Sequence, residues 1–245
     1  MSEKSIAICI PTYNESDNIE KLIHSILKVV KDPIIVIVDD SLNRDIETKT
    51  KDFKEVNYIY REKKLGRGSA VLEGMKIIVE HDNFSKIIEM DADLSHDSNE
   101  IPNNLKMFDE KKLDLLVSSR YLPESKIFDW SIQRRVFSKL ANLLAKIVLR
   151  VPVTDYTNGF RIYSKRSAKQ VVRNCGKIGD GFIILSEILV ELYFNNFKVD
   201  EIPSVFRNRT RGESSVNSKE IFGAFFGLFK ILFKKIKIVS AKNEK

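Results

Sequence analysis

The stretch Ile87-Ile88-Glu89-Met90-Asp91-Ala92-Asp93-Leu94-Ser95-His96 decides the fold. It starts as a short, largely apolar run and stops at two aspartates one residue apart. That is the pattern of a buried strand whose end carries a pair of carboxylates. Working outward, short β-branched runs recur at residues 6–10 and 34–38, and further strands are predicted over 56–60 and 113–117. Helical patterns separate them. Ile19, Leu22, Ile23, Ile26 and Leu27 share one helix face after a polar segment, 14–18, that can supply the cap. Further helices are predicted over 68–81 and 101–111. Strand–helix alternation specifies an α/β fold, with a mostly parallel sheet and helices on both faces. In such sheets a ligand binds beyond the carboxyl ends of the strands.

The residues at those ends therefore carry the functional reading. They are Pro11-Thr12-Tyr13-Asn14-Glu15, then Asp39-Asp40-Ser41, then Asp91-Ala92-Asp93, then Ser118-Ser119-Arg120-Tyr121. Alternate residues of an extended segment point the same way, so Asp91 and Asp93 can face one ligand. Two hard oxygen donors suit Mg²⁺ or Mn²⁺ held jointly with a substrate diphosphate. Alone, this spacing is better explained by a solvated turn; at a buried strand end, beside Asp39 and Asp40, a metal site is favoured. Asp39 and Asp40 can accept from a ribose hydroxyl or a base N–H, while Asp40 serves equally well as a cap. Gly66-Arg67-Gly68 enters a helix and could hold an anion. It lacks the Lys-Ser/Thr of a P-loop and does not follow the first strand, so a plain turn is the stronger reading.

The second half differs. A long helix is predicted over 130–150, a strand over 160–163, a helix over 183–194, a strand over 198–203 and a final helix over 218–239. Two of these helices are basic and amphipathic. The first mixes Arg134, Arg135, Lys139, Lys146 and Arg150 with apolar residues, and core packing is its simpler explanation. The last sets Phe222, Phe225, Phe226, Phe229 and Phe233 among lysines, which suits a membrane surface. The expected organisation is a catalytic domain over 1–216 followed by an amphipathic helix and tail over 217–245.

Composition bounds the rest. The chain has 245 residues, 43% hydrophobic and 31% charged, with a formal net charge of +7, which excludes disordered and collagen-like chains. Cys9 and Cys175 form no disulfide or zinc pattern, which favours a reducing compartment. The first apolar run is too short for a signal peptide, and no uninterrupted stretch is long enough to span a bilayer. The positive charge admits nucleic acid, an anionic membrane or phosphorylated ligands. Arg120, Arg134, Arg135, Arg207, Arg209 and Arg211 point to phosphate, which arginine grips with a fork, although a solvated basic face accounts for at least half of them. The histidines form no catalytic arrangement, and capping or exposure is the expectation for His96.

The strings IPTYNE, VDD, LGRGSAVLEGM, MDADLSH, SSRY, DYTNGFRIY and RTRGES, in this order, resemble the family 2 inverting glycosyltransferases of GT-A fold, and among them the dolichol/polyprenyl-phosphate mannose synthases. The resemblance runs from residue 6 to about 215. It implies that Pro11, Tyr13, Glu15 and Asp39 surround the nucleotide, with Asp40 beside them. It implies that Asp91 and Asp93 bind the metal and diphosphate. Arg120, Arg134 and Ser138 match positions facing the lipid phosphate. Arg209 matches an arginine before Gly-Glu-Ser, and Glu187 an acidic residue near the acceptor. The sequence departs from the family at Ser41, at 42–45, at Ser95 and Leu185, where the family has Gln, and at Ser215.

The expected activity is transfer of a hexose, mannose above others, from a nucleotide sugar to dolichyl or polyprenyl phosphate at the cytoplasmic face of a membrane. Such an acceptor is already anionic near neutral pH, so no strong base is required. A UDP-sugar donor or a saccharide acceptor is the alternative, the latter needing a base for its hydroxyl. A nucleic-acid module is disfavoured because the aromatics cluster at one amphipathic end and not among the basic residues.

Overall fold

The computed structural model describes residues 5–208 and 218–243, the last helix with side chains over 226–242. The chain runs β1 (Ser5–Thr12), α1 (Ser16–Val29), β2 (Ile34–Asp39), α2 (Asp45–Thr50), β3 (Val56–Tyr60), α3 (Arg67–His81) and β4 (Phe84–Glu89). After a single 3₁₀ turn come α4 (Ile101–Glu110), β5 (Leu115–Ser119), β6 (Lys126–Ile127) and α5 (Ile132–Leu149). The remainder is β7 (Arg161–Ser164), α6 (Lys165–Asn174), α7 (Ile183–Phe194), β8 (Val199–Pro203), β9 (Val205–Phe206) and α8 (Ser218–Asn243).

Seven strands form one sheet in the order β3-β2-β1-β4-β7-β5-β8, with β7 antiparallel to both neighbours and all other pairs parallel. β6 and β9 make a separate two-stranded parallel ribbon. The strands alternate faces with period two, so each builds two cores. Ala7, Cys9, Val36 and Val38 point to one, against α3, α6 and α7. Ile8, Ile10, Ile35 and Ile37 point to the other, against α1 and α4. Both cysteines are buried and unbridged, and burial pushes both thiols far up.

The architecture matches the expected mostly parallel α/β sheet. β5 begins two residues later than predicted, which places Ser118 and Ser119 inside the strand and Arg120 directly at its end. Helix α6 was not predicted: its apolar residues are few, and it is started by Ser164, whose Oγ accepts from Ser167 N–H.

Two findings concern the amphipathic helices. Core packing, the simpler expectation for α5, is overturned: Ile132, Phe137, Leu140 and Ile147 are 54–80% exposed, and only Asn142, Ala145 and Leu149 are buried. The expected boundary at 216/217 lies outside the described residues. Beyond it, α8 packs against α7 and α5, burying Leu228 and Ile231 in the core. Lys234 reaches inward to ion pairs with Glu187 and Glu191, both at 3.0 Å.

Candidate active site

The Asp91–Asp93 turn follows β4 directly and is held from below and from the side. Glu89 is fully buried at the last position of β4. It accepts from Arg67 Nη1 at 2.8 Å and from Tyr163 Oη at 2.6 Å. Arg67, the first residue of α3, also donates through Nε to Asp91 Oδ1 at 2.8 Å, with Nη2 2.7 Å away. One guanidinium thus ties strand and turn together. Burial works against its charge, but the two carboxylates outweigh that and keep it protonated. Gly159 makes room for it, since a Cβ there would lie 1.8 Å from Arg67 Nη2.

His96 completes the turn and is buried, contrary to the capping or exposed role expected of it. Its Nδ1 accepts from Asp91 N–H at 3.2 Å, so its Nε2 carries the proton toward Asn158 Oδ1 at 3.0 Å. Asn158 in turn donates to Ser118 O. The ring stacks on Phe160 and meets the edge of Phe206. Both nitrogens are thereby committed to shaping the backbone. No spacing rule exposes this role, because Asn158, the partner of Nε2, lies 62 residues away.

On the nucleotide side, Pro11 is buried in β1, and Tyr13 lies under Lys64, with Nζ 4.0 Å from the ring centroid. Glu15 accepts from Asn18 through its side chain and through its backbone carbonyl at the start of α1. Asp39 is fully buried; Oδ1 accepts from Ser41 N–H and Oγ–H, and Oδ2 from Tyr58 Oη at 2.8 Å. Asp40 pairs with Arg61 Nε at 2.5 Å and accepts the Leu65 and Gly66 N–H groups. It takes the capping role. In and just past the Gly66–Gly68 loop, the Gly68 and Ser69 N–H groups also donate to protein, both to Asp180 O. The plain-turn reading of that loop is the one the contacts support. Gly66 needs its lack of a side chain, with φ at +96°.

On the other side of the turn, Arg120 is gripped by Asp155. Nε and Nη2 reach the two carboxylate oxygens at 2.7 and 2.8 Å, and Nη2 also reaches Thr157 Oγ1. Burial works against the Arg120 charge, but Asp155 outweighs it and keeps the guanidinium protonated. Around Arg120 stand Trp130 and Phe206, and Arg134 lies over the Trp130 ring at 4.1 Å. Ser138 Oγ accepts from Tyr121 Oη at 2.6 Å. Arg120, Arg134 and Ser138 are therefore joined through Trp130 and Tyr121. Glu187 is not with them: it accepts from Gly176 N–H and Lys234, against α8. Arg209 lies outside the described residues.

Burial alone pushes the Asp155 carboxyl up, but Arg120 outweighs it and holds it below the usual carboxylate range. A depressed pKa adds stability above the unfolded value, about 3.9, that is lost as pH falls through the folded value. Urea unfolding should therefore show stability falling below about pH 4. Asp155→Asn should flatten that fall and cost about 3–5 kcal/mol at pH 7, by leaving Arg120 buried and unpaired. An unchanged acid limb would refute the pairing.

Among the described residues no group of three or more His, Cys, Asp or Glu could hold a metal by itself. The residues present do fit a divalent cation shared with a diphosphate. Asp91 and Asp93 offer hard oxygens, and Ser95 Oγ beside them is buried without a hydrogen-bond partner among the described residues. These donors suit Mg²⁺ or Mn²⁺, not a soft metal.

A parallel sheet with an antiparallel strand beside β4, and a carboxylate pair at the end of β4, defines the GT-A class of nucleotide-sugar transferases. The chain belongs to glycosyl transferase family 2, whose model it matches over residues 7–172. It is 32% identical over 235 residues to a dolichol-phosphate mannosyltransferase of Pyrococcus furiosus, covering 93% of this chain and 63% of that protein. It is 30% identical over 224 residues to the polyprenol monophosphomannose synthase of Mycolicibacterium smegmatis, covering 89% and 83%. In fold it is similar to glucosyl-3-phosphoglycerate synthase of Mycobacterium tuberculosis, solved with Mn²⁺ and UDP-glucose. That match has a TM-score of 0.66 at 15% identity and covers 96% of this chain and 79% of the other. The chain thus spans 63% of the P. furiosus relative's length.

Proposed function

We propose that this glycosyltransferase moves a hexose, mannose above others, from a nucleotide sugar, GDP-mannose above others, to dolichyl or polyprenyl phosphate with inversion. One observation carries the reading: the buried, carboxylate-anchored Arg120 lies 5.3 Å from the Phe206 ring, which also meets His96 of the Asp91–Asp93 turn. An acidic turn for a metal-bound diphosphate thus lies beside a cationic pocket for a second phosphate. The names of the two relatives support the same pair of substrates.

In this mechanism an acceptor phosphate oxygen attacks the anomeric carbon as the bond from that carbon to the diphosphate oxygen breaks. The nucleoside diphosphate departs from the opposite face. A divalent cation, Mg²⁺ or Mn²⁺, would neutralise charge developing on the departing diphosphate. Asp91 and Asp93 would hold it. Arg67 keeps Asp91 oriented, and the His96 ring fixes the turn. Arg120 and Arg134 would align the acceptor anion, and no side chain has to remove a proton from it. Incubation with labelled GDP- and UDP-sugars and polyprenyl phosphate tests this; label should enter the organic phase from GDP-mannose. Transfer from no donor to any lipid phosphate would overturn it.

The site would work on the cytoplasmic face of a membrane, peripherally. No helix among the described residues is long and apolar enough to cross one. α5 and α8 pack together and expose Phe137 (54%) and Phe233 (65%), with Lys139, Lys146 and Lys237 alongside. Deleting α8 would open the core, so point changes are the cleaner test. Phe137→Glu with Phe233→Glu should weaken flotation with anionic liposomes by roughly 100-fold, taking about 1.5 kcal/mol per lost phenyl contact. Unaltered flotation would count against this surface.

A further inference from the structure

Trp130 is the chain's single tryptophan, 8% exposed, and its Nε1–H is shielded from solvent without a hydrogen-bond partner among the described residues. A buried donor left unmade is costly, so native sites seldom keep one without a purpose. Its neighbours are cations. The Arg134 guanidinium lies 4.1 Å from the ring centroid and that of Arg120 5.5 Å. The ring also meets Phe206 edge-on at 5.3 Å, and Phe206 packs on His96 of the Asp91–Asp93 turn. Helix α5 starts two residues later, with no acidic side chain in its first turn, so its N-terminal end adds positive potential. An unpaired N–H, two arginines and a helix N-terminus converge beside the turn.

We propose that the Trp130 indole N–H donates to a phosphate oxygen of the acceptor, as a third donor beside Arg120 and Arg134. The inference rests on the lipid-phosphate acceptor argued above. Arg134 is exposed at the helix surface and lies over the indole face, so its guanidinium can reach the same anion from the side of the ring. An indole N–H supplies direction without adding charge, which suits fixing one oxygen for attack.

Because Trp130 is alone, its emission reports on this site without turnover. Farnesyl phosphate in detergent should change the emission saturably, and farnesol should not. Arg134→Ala should move the midpoint at least fivefold higher. Trp130→Phe keeps a ring beneath Arg134 but lacks the donor; it should raise KM for the lipid phosphate roughly tenfold and leave KM for the nucleotide sugar within twofold. Should Trp130→Phe not fold, replacing the indole by its benzothiophene isostere removes the N–H with nearly the same shape. Transfer to lipid phosphate with a silent Trp130 and an unchanged KM would overturn this inference and leave the proposed function standing. A saturable response to farnesyl phosphate without any transfer would uphold the anion site and overturn the proposed function.

Discussion

Replacing Asp93 by Asn should remove transfer while the protein stays folded. Asp93 is 4% exposed, and its Oδ1 accepts from Ser95 N–H at 3.1 Å, a bond that Asn can keep through its own Oδ1. Size and turn geometry survive, and the charge is lost. If that carboxylate holds the cation that stabilises the leaving diphosphate, kcat/KM should fall roughly 10³-fold, about 4 kcal/mol of transition-state stabilisation. The melting temperature should move by only a few degrees. Asp91→Asn should act alike on turnover, because Arg67 retains Glu89 as a partner. Near-normal turnover in the Asp93 variant would sink the metal assignment.

The second large effect concerns stability. Arg67→Met should destabilise the fold by about 3–5 kcal/mol, because it strands the fully buried Glu89 carboxylate with Tyr163 as its remaining hydrogen-bond donor. At about 2–4 °C per kcal/mol for a chain of this size, the melting temperature should drop by roughly 10 °C. The pair also predicts its own rescue: Arg67→Met with Glu89→Leu should recover more than half of the loss, since no buried charge is then left alone. Turnover should stay low in the double variant, because Asp91 still lacks the guanidinium that orients it. Calorimetry on the two single variants and the double one decides this. Equal instability in Arg67→Met and in the double variant would show that packing, and not the stranded charge, sets the cost.

Much of this was legible in the chain. The apolar runs of β1, β2 and β4 end at Pro11, Asp39 and Asp91, and strand-end residues in a parallel sheet gather on one edge for topological reasons alone. Asp91, Asp93 and the Tyr13–Glu15 segment could therefore be placed without coordinates. Three assignments could not. Glu187 reads as an acidic residue near the acceptor, yet it faces Lys234, because α8 packs where periodicity cannot say. Helix α5 reads first as a core helix, yet most of its apolar residues are exposed, since an amphipathic pattern does not reveal which face finds a partner. His96 and Arg67 gained their roles from contacts with Asn158, Glu89 and Asp91, all distant or across a crossover.

What the sequence determined by itself is the alternation of strands and helices, hence the parallel sheet, its carboxyl edge and the acidic turn upon it. These follow from local periodicity and from the geometry of crossovers. The tertiary structure alone decided which charges are consumed by the protein. Asp40 goes to Arg61 and a loop, Asp155 to Arg120, and Glu187 to Lys234. It also left the indole N–H of Trp130 without a hydrogen-bond partner among the described residues. The physical reason is that pairing depends on distances between residues far apart in the chain, and those are set by packing, to which composition and spacing are blind.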